Sequence, residues 1–273
     1  MTASRREQTL AYAVLGAFSL LALLPVAGIV ATALQDRSAF APFGTLKGFH
    51  PGNFADAWEE GNFGRYLLSS TIVAVAVVSV STVVSILSGY AFGLMRFRGS
   101  QVLFYLFLLG LMIPTEAMIV PLYYDLRDLA LTDTYWALIL PQIGTSTAFG
   151  TFWMRAYFRS VPPSLVEAAR IDGASSWFTL WRVVLPLARP AILTMTVLLF
   201  MWTWNEFLLA LVMVSEESLR TAPLGLSFFQ GRNTSDLTLL AAGAVIVAAP
   251  VVVLYVFLQR HFIRGMLSGA VKG

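Results

Sequence analysis

Apolar residues occur along this chain in long, nearly uninterrupted runs. A transmembrane helix needs about 20 predominantly apolar residues to cross about 30 Å of hydrocarbon. Six runs reach that length, at about residues 10–34, 67–95, 102–124, 135–158, 188–214 and 238–260. The pattern therefore predicts an all-α integral membrane protein with six transmembrane helices.

The composition agrees with a chain that lies mostly in lipid. Of its 273 residues 58% are hydrophobic and 12% are charged, with a mean hydropathy of +0.74, whereas soluble domains carry about 25% charged residues. The first apolar run exceeds the hydrophobic stretch of about 7–15 residues found in a signal peptide, so it predicts a retained span. We expect a single transmembrane domain over residues 1–273, with membrane lipid around it and no nucleic-acid partner.

The basic residues predict the orientation, because cytosolic loops are enriched in Lys and Arg. With a cytosolic N-terminus, twelve of the 18 basic residues fall on the cytosolic side, and most acidic residues fall outside. Both termini are therefore expected in the cytosol. The loop between spans four and five, residues 159–187, is then the longest cytosolic connection.

The first half of this loop predicts a short helix. Ser164 is followed three residues later by Glu167, as in a capping box, in which the serine binds free backbone N–H groups and the glutamate reaches back. Gly173 is then expected to end or bend the helix.

The second half of the loop predicts another short amphipathic helix. Ser175 or Ser176 can cap its start, and Trp177 and Trp181 share one face because they are four residues apart. Pro186 is expected to close the unit before span five.

Spacing alone leaves two interpretations of this loop open. It is either an interfacial element lying on the membrane, with Glu167 only a capping residue, or a docking element for a cytosolic partner. In the second case Glu167, Arg170 and Asp172 would face the partner, with the aromatic residues packed beneath.

The same residues carry a resemblance to a known family. Glu167-Ala168-Ala169, then Gly173 after three further residues, and Leu185-Pro186 at the end resemble the EAA loop of ABC importer permeases, with Val183 where isoleucine is usual. Three more stretches resemble the carbohydrate-uptake branch, specifically the maltose-type second permease: GYAFGLMRFRG (89–99), WNEFLLALV (204–212) and QRHFIRGMLSGAVKG (259–273).

The resemblance implies that the loop is a coupling helix that seats in a groove of an ATP-binding subunit. It implies a chain that forms half of a permease pair in a bacterial inner membrane, with two ATP-binding subunits and an extracytoplasmic solute-binding protein, and that imports a sugar or sugar-like solute. The implied coupling residues are Glu167, Ala168, Ala169, Arg170, Asp172, Gly173, Leu185 and Pro186, and the implied contacts with the binding protein are Gln230, Gly231 and Arg232.

The chain has no ATP-binding motif of its own. The phosphate-binding pattern G-x-x-x-x-G-K-[ST] is absent, and neither Lys47 nor Lys272 lies in that context. We therefore expect no enzymatic activity, no metal site and no cofactor in this chain, with ATP and Mg in partner subunits. A secondary transporter or channel subunit without an ATPase partner is the alternative, although such proteins often show internal repeats and none is evident here.

Two carboxylates fall within predicted spans, Glu116 and Glu206. An ionisable group at bilayer depth costs about 2.5–3.5 kcal/mol or more, so it usually faces the bundle interior or water. Asn205 precedes Glu206, and Trp202 and Trp204 flank the pair, which suits a sugar with hydroxyl groups and stacking faces. Asn205 and Glu206 either line a translocation path or bond to neighbouring helices, and the sequence leaves both open. For Glu116 the alternative to path lining is a structural or gating role at the outer mouth.

Gly89 and Gly93, four residues apart, predict close packing of span two on another helix. The identity of the cargo stays open, since the resemblance allows disaccharides, oligosaccharides, glycerol phosphates and amino sugars.

Overall fold

The structure is a computed structural model that describes residues 5–37, 48–229 and 236–270. All regular elements in these ranges are helical. The α-helices are α1 (Arg5–Leu34), α2 (Asn53–Glu60), α3 (Phe63–Leu94), α4 (Ser100–Met112), α5 (Thr115–Asp128), α6 (Tyr135–Arg159), α7 (Pro163–Ile171), α8 (Ser176–Phe178), α9 (Leu185–Trp204), α10 (Leu208–Met213), α11 (Ala222–Gly225) and α12 (Leu237–Ala270).

The predicted all-α membrane architecture is confirmed, whereas the count of six spans stays a prediction. Four helical stretches are long and apolar enough to cross a membrane: Arg5–Leu34, Phe63–Leu94, Ser176–Trp204 and Leu237–Gln259. The pair α4 and α5 makes a fifth if it is one span, although the two helices meet at 97°. Helix α6 is also long, with 25 residues. It is not one of these four stretches, because the polar side chains within it lower its mean hydropathy.

The bend between α4 and α5 has a local cause at Pro114. Ile113 and Pro114 are both extended, with ψ of 121° and 131°, because a residue before proline avoids the helical region and proline itself donates no hydrogen bond. The predicted span 102–124 is therefore two helices rather than one continuous helix.

Predicted span five begins and ends differently in the structure. One continuous helical stretch runs from Ser176 to Trp204, and it contains a π-helical segment, Thr179–Val184. The span then breaks at residues 205–207 before α10. The apolar run 188–214 is thus not a single helix, and part of the predicted loop belongs to the span.

The chain divides into two compact units, Met1–Arg65 with Leu224–Pro250, and Tyr66–Pro223 with Val251–Gly273. The earlier expectation of a single domain over 1–273 stays a prediction.

In the first unit Arg37 forms ion pairs with Asp56 (3.5 Å), Glu60 (3.3 Å) and Asp236 (2.9 Å). Burial alone would lower the pKa of Arg37, but the hydrogen bonds and negative charges of Asp236 and Glu60 raise it above its ordinary value.

In the second unit α3 packs closely on α6, as the paired glycines predicted. A Cβ at Gly89 would lie 2.5 Å from the Cβ of Met154, and one at Gly93 would lie 2.9 Å from the Cβ of Phe158. Both α6 residues are fully buried. The core continues through Leu180, Val184, Ala188, Met195 and Leu199. Span five is therefore packed on the same core as the α3–α6 pair.

Candidate functional site

Helix α7 presents most of the predicted coupling residues to solvent. Val166 and Ala169 are buried, at 7% and 8% exposure, and they attach the helix to the body of the second unit. The predicted coupling residues on the opposite side and just beyond the helix end are exposed, namely Glu167, Ala168, Arg170, Asp172 and Gly173. One member of the predicted set, Ala169, is therefore an anchor of α7 rather than part of its outer face.

Gly173 ends α7 in the left-handed conformation, with φ +77°. Its N–H donates to Arg170 O (3.0 Å), and the N–H of Ala174 donates to Ala169 O (2.9 Å). These two bonds form the Schellman arrangement, which satisfies carbonyl groups that the end of a helix leaves free. The predicted end of the helix at Gly173 is confirmed.

The predicted capping box at the start of α7 is wrong. The cap position is Pro162, no side chain caps the helix, and Ser164 lies within its first turn. Pro163 begins the helix because its fixed φ suits the first helical position, where no hydrogen-bond donor is needed. Glu167 is exposed, so its carboxylate is available to a partner.

The second half of the loop is the beginning of span five, not a separate helix. Ser175 caps it as expected, since its Oγ accepts from the N–H of Phe178 (3.2 Å). Pro186 does not close the unit: it lies in the first turn of α9, directly after the π-helical segment. Proline would clash with a carbonyl in a regular helix, and the wider π-helical turn accommodates it. Leu185 is half-buried beside it.

Large aromatic side chains lie exposed at the start of span five. Trp177 and Phe178 are 63% and 53% exposed, and Trp181 is 38% exposed. The rings of Trp177 and Trp181 meet edge to face at 5.5 Å, so the predicted shared face is confirmed. Tyr90 of α3 holds this start in place, because its hydroxyl donates to Ser176 O (3.1 Å).

A cavity of about 550 Å³ lies where the two broken helices approach each other. Ile113 lines it at the break between α4 and α5, and Glu206 lines it at the break after α9. Irregular backbone is tolerated at membrane depth only where it is buried in protein or lines a water-filled cavity. The position of both breaks at one cavity satisfies that condition.

The structure separates the predicted path residues. Glu206 and Trp202 line the cavity, whereas Trp204 is 4% exposed and stacks on Phe200 at 5.4 Å. Asn205 caps the end of α9, and its Nδ2 donates to Met201 O (2.7 Å). Glu116 lies in the first turn of α5, beside the cavity-lining Thr115.

The carboxylate of Glu206 also has a structural contact. Its Oε1 accepts a hydrogen bond from the N–H of Leu209 (2.8 Å), at the start of α10. The sequence had left lining of a path and bonding to a helix as alternatives for this residue. In the structure Glu206 lines the cavity and also bonds to the start of α10, and its role in a translocation path stays a prediction.

Sequence reasoning missed the wall that α6 contributes to the cavity. Gln142, Thr145, Ser146 and Phe149 line it, and their spacing of three and four residues places them on one face of the helix. That spacing of polar residues within an apolar run is the signal that could have found them. Phe149 also meets Trp202 edge to face at 4.6 Å, so the helix supplies both polar groups and an aromatic surface.

The predicted contacts with a binding protein, Gln230, Gly231 and Arg232, lie outside the described residues. In the part of the chain that the structure describes, no group of acidic, histidine or cysteine side chains is arranged to hold a metal ion.

Known proteins resemble this chain over most of its length. Residues 81–268 match the family of binding-protein-dependent transport system inner membrane components. A probable ABC transporter permease, YurM of Bacillus subtilis, is 37% identical over 82% of this chain and 75% of its own. The arabinooligosaccharide transport permease AraQ of Halalkalibacterium halodurans is 35% identical over 79% of this chain and 76% of its own.

Two further proteins extend the comparison. The sn-glycerol-3-phosphate transport permease UgpE of Pectobacterium atrosepticum is 34% identical over 88% of this chain and 89% of its own. A chain in the crystal structure of a bacterial ABC transporter that imports the acidic polysaccharide alginate has a TM-score of 0.80 and 25% identity, with 96% of this chain and 99% of that chain covered. This chain therefore belongs to the family of binding-protein-dependent transport system inner membrane components, as the EAA loop predicted.

Proposed function

We propose that this chain forms half of the transmembrane pathway of an ATP-driven importer for a saccharide or saccharide-like solute, in a bacterial inner membrane. A second permease subunit supplies the other half, two ATP-binding subunits carry ATP and Mg, and an extracytoplasmic binding protein delivers the solute. The observation that carries the proposal is the exposed EAA segment of α7, held on the same core as the broken span that lines the cavity.

In this proposal α6 is the sixth span, and both termini lie in the cytosol. A helix of 25 residues extends about 37 Å at 1.5 Å per residue, which is enough to cross the hydrocarbon. The polar face of α6 is tolerated at that depth because it lines the cavity rather than lipid. The chain then crosses six times, with α7 in the cytosol.

The coupling element is α7 together with its glycine end and the start of span five. Glu167, Arg170 and Asp172 present charges to the ATP-binding subunit, and Gly173 fixes the angle between α7 and the following helix. Leu185 and Pro186 lie where that helix becomes regular after the π-helical segment. A displacement of α7 is transmitted to span five because Val166 and Ala169 attach it to the protein body.

Transport requires no covalent chemistry in this chain. ATP-driven closure of the ATP-binding subunits moves α7, and the spans switch the cavity from one side of the membrane to the other. Glu206, Trp202 and the polar face of α6 form this chain's wall of the path, and Asn205 and Glu206 hold the break in span five. Glu116 stands at the start of α5, beside that wall, and Trp204 supports it from the packed interior.

A single-cysteine cross-link tests the docking of α7. The natural chain has no cysteine, so Glu167→Cys introduces one thiol at the exposed face. In membranes that contain the whole complex, a short thiol-reactive cross-linker is expected to join this position to an ATP-binding subunit, and the yield should change when ATP is added.

The matched control is Asp128→Cys, an exposed acidic position at the end of α5 on the opposite side of the predicted topology. It should give no cross-link to an ATP-binding subunit. If Glu167→Cys also gives none while the complex imports its solute, α7 is not the docking element. Solute uptake without any ATP-binding subunit would instead support the secondary transporter.

A further inference from the structure

We propose that the cargo is an uncharged saccharide and that Glu206 is a specificity-determining residue that disfavours anionic solutes. The inference rests on the proposed importer function and deepens it, because it concerns the charge of what the cavity accepts.

The argument starts from the charges on the cavity wall. Of the described residues that line the cavity, Glu206 is the only one with an ionisable side chain; no Arg, Lys or His is among them. A cleft with fixed charge of one sign concentrates solutes of opposite charge and repels those of like charge. The repulsion is stronger in a low-dielectric site than in water. An anion that enters this cavity meets a carboxylate and no cationic side chain on the described part of this chain's wall.

The carboxylate is held in place rather than free to turn away. Its Oε1 accepts from the N–H of Leu209 at 2.8 Å, and the backbone N–H of Glu206 donates to Thr203 O at 3.3 Å. Leu209 and Thr203 also line the cavity. Side chain and backbone are therefore both tied to the cavity wall, so the negative charge stays near the path.

The start of α5 is a feature of the cavity edge that could attract an anion. The first N–H groups of a helix carry about half a positive charge, and Thr115 of this first turn lines the cavity. Glu116 lies in the same turn. The full negative charge of Glu116 exceeds the partial positive charge at the start of α5. The net charge at this edge of the cavity is therefore also negative, which disfavours an anion.

The remaining polar groups suit an uncharged sugar. Gln142 donates from Nε2 to Leu138 O at 2.9 Å, which leaves its amide oxygen as an acceptor at the wall. Thr145 and Ser146 add hydroxyl groups, and Trp202, half exposed, adds an aromatic surface. Hydroxyl groups of a sugar can bond to these groups and to Glu206, while its C–H faces stack on the indole.

Relatives with this fold transport cargo of both kinds. The named solutes of UgpE and of the alginate importer are anionic, whereas the named solute of AraQ is a neutral oligosaccharide. Sequence similarity to the three therefore does not decide the charge of the cargo, and the charge on this chain's cavity wall is the observation that bears on it. The charge on its cavity wall groups this chain with the relatives that transport neutral saccharides.

The first experiment uses the complete complex in proteoliposomes with ATP, with each probe supplied on saturating binding protein. The neutral probes are arabinotriose, maltotriose and diacetylchitobiose, and the anionic probes are glycerol 3-phosphate and an alginate trisaccharide. ATP-driven accumulation of a neutral probe and of neither anionic probe is expected. Accumulation of an anionic probe overturns the inference. No accumulation of any probe counts instead against the proposed importer function, and the inference falls with it.

The second experiment assigns the discrimination to Glu206. Wild-type complex should take up the accumulated neutral saccharide at least tenfold faster than its uronic-acid form, in which the terminal CH2OH of one sugar unit is replaced by a carboxylate. Glu206→Gln, which keeps the shape and one acceptor oxygen, should reduce this ratio at least threefold. Asp128→Asn removes one negative charge away from the cavity and should leave the ratio unchanged. An unchanged ratio in Glu206→Gln, with neutral uptake retained, overturns the assignment.

Discussion

Gly173 shows how much one backbone angle decides at the residue scale. Nothing lies within 4 Å of the place where its Cβ would stand, yet its φ is +77°. The constraint is therefore conformational and not steric. A left-handed residue costs about 1–2 kcal/mol for most side chains, and Asn is among the exceptions.

We predict that Gly173→Val uncouples ATP hydrolysis from solute uptake, because a β-branched residue disfavours the left-handed turn that ends α7. Gly173→Asn is the matched control and should remain close to wild type. The measurement is solute imported per ATP hydrolysed, with an expected decrease of several-fold for the valine variant. Equal coupling in both variants would show that the turn does not set the position of α7.

Predictions for single residues succeeded where one residue type fixes the local backbone conformation. They failed where the conformation depends on neighbouring residues. The end of α7 at Gly173 could be predicted because few residues adopt that angle. The capping box could not, because Ser164 and Glu167 have the right spacing but the helix had already begun at Pro163. For Glu206 the sequence could not decide between lining a path and bonding to a helix. In the structure its side chain lines the cavity and accepts a hydrogen bond from the N–H of Leu209.

At the scale of elements, the approach of α3 to α6 depends on small residues. The Cβ of an alanine at Gly89 would lie 2.5 Å from Met154 Cβ and 3.0 Å from Arg155 N, so one of the two helices would have to shift. Gly16 of α1 has nothing within 4 Å of its would-be Cβ. The same substitution at the two sites therefore separates packing from helix propensity.

We predict that Gly89→Ala destabilises the purified complex by about 1–3 kcal/mol, the usual cost of overpacking, less the gain of about 1 kcal/mol in helix propensity. Gly16→Ala should be neutral or slightly stabilising. Thermal unfolding in detergent measures both. A higher midpoint for Gly89→Ala than for Gly16→Ala would contradict the close packing of α3 on α6.

Helix breaks are the elements that the sequence did not predict. The apolar runs 102–124 and 188–214 look continuous, but the structure breaks them at Ile113–Pro114 and at residues 205–207. Hydropathy measures the environment of a segment and is insensitive to the direction of its backbone. Pro114 was a visible signal for the first break. Asn205 and Glu206 mark the second only because their side chains bond to nearby backbone groups.

At the scale of the whole molecule, the distribution of charge predicts the side of the membrane on which each loop lies. The distribution that predicts a cytosolic location for residues 159–187 predicts an outside location for the end of α5. The absence of cysteine makes this arrangement directly measurable.

We predict that a membrane-impermeant maleimide labels Asp128→Cys in intact cells and labels Glu167→Cys only after the membrane is opened. Both positions are exposed, so the difference reports sidedness and not burial. A permeant maleimide should label both and serves as the control. Labelling of Glu167→Cys in intact cells would reverse the proposed topology and place α7 away from any cytosolic subunit.

The sequence by itself determined the membrane class, the approximate positions of the apolar runs and the family, through the EAA segment from Glu167 to Pro186. These properties depend on length, composition and a local motif, which the order of residues contains directly. Only the tertiary structure decided that the breaks in two spans and the polar face of α6 meet at one cavity. It also decided that Glu206 is the single ionisable side chain among the described residues that line it. The reason is that residues from 110 to 209 become neighbours only through helix packing, which no local pattern records.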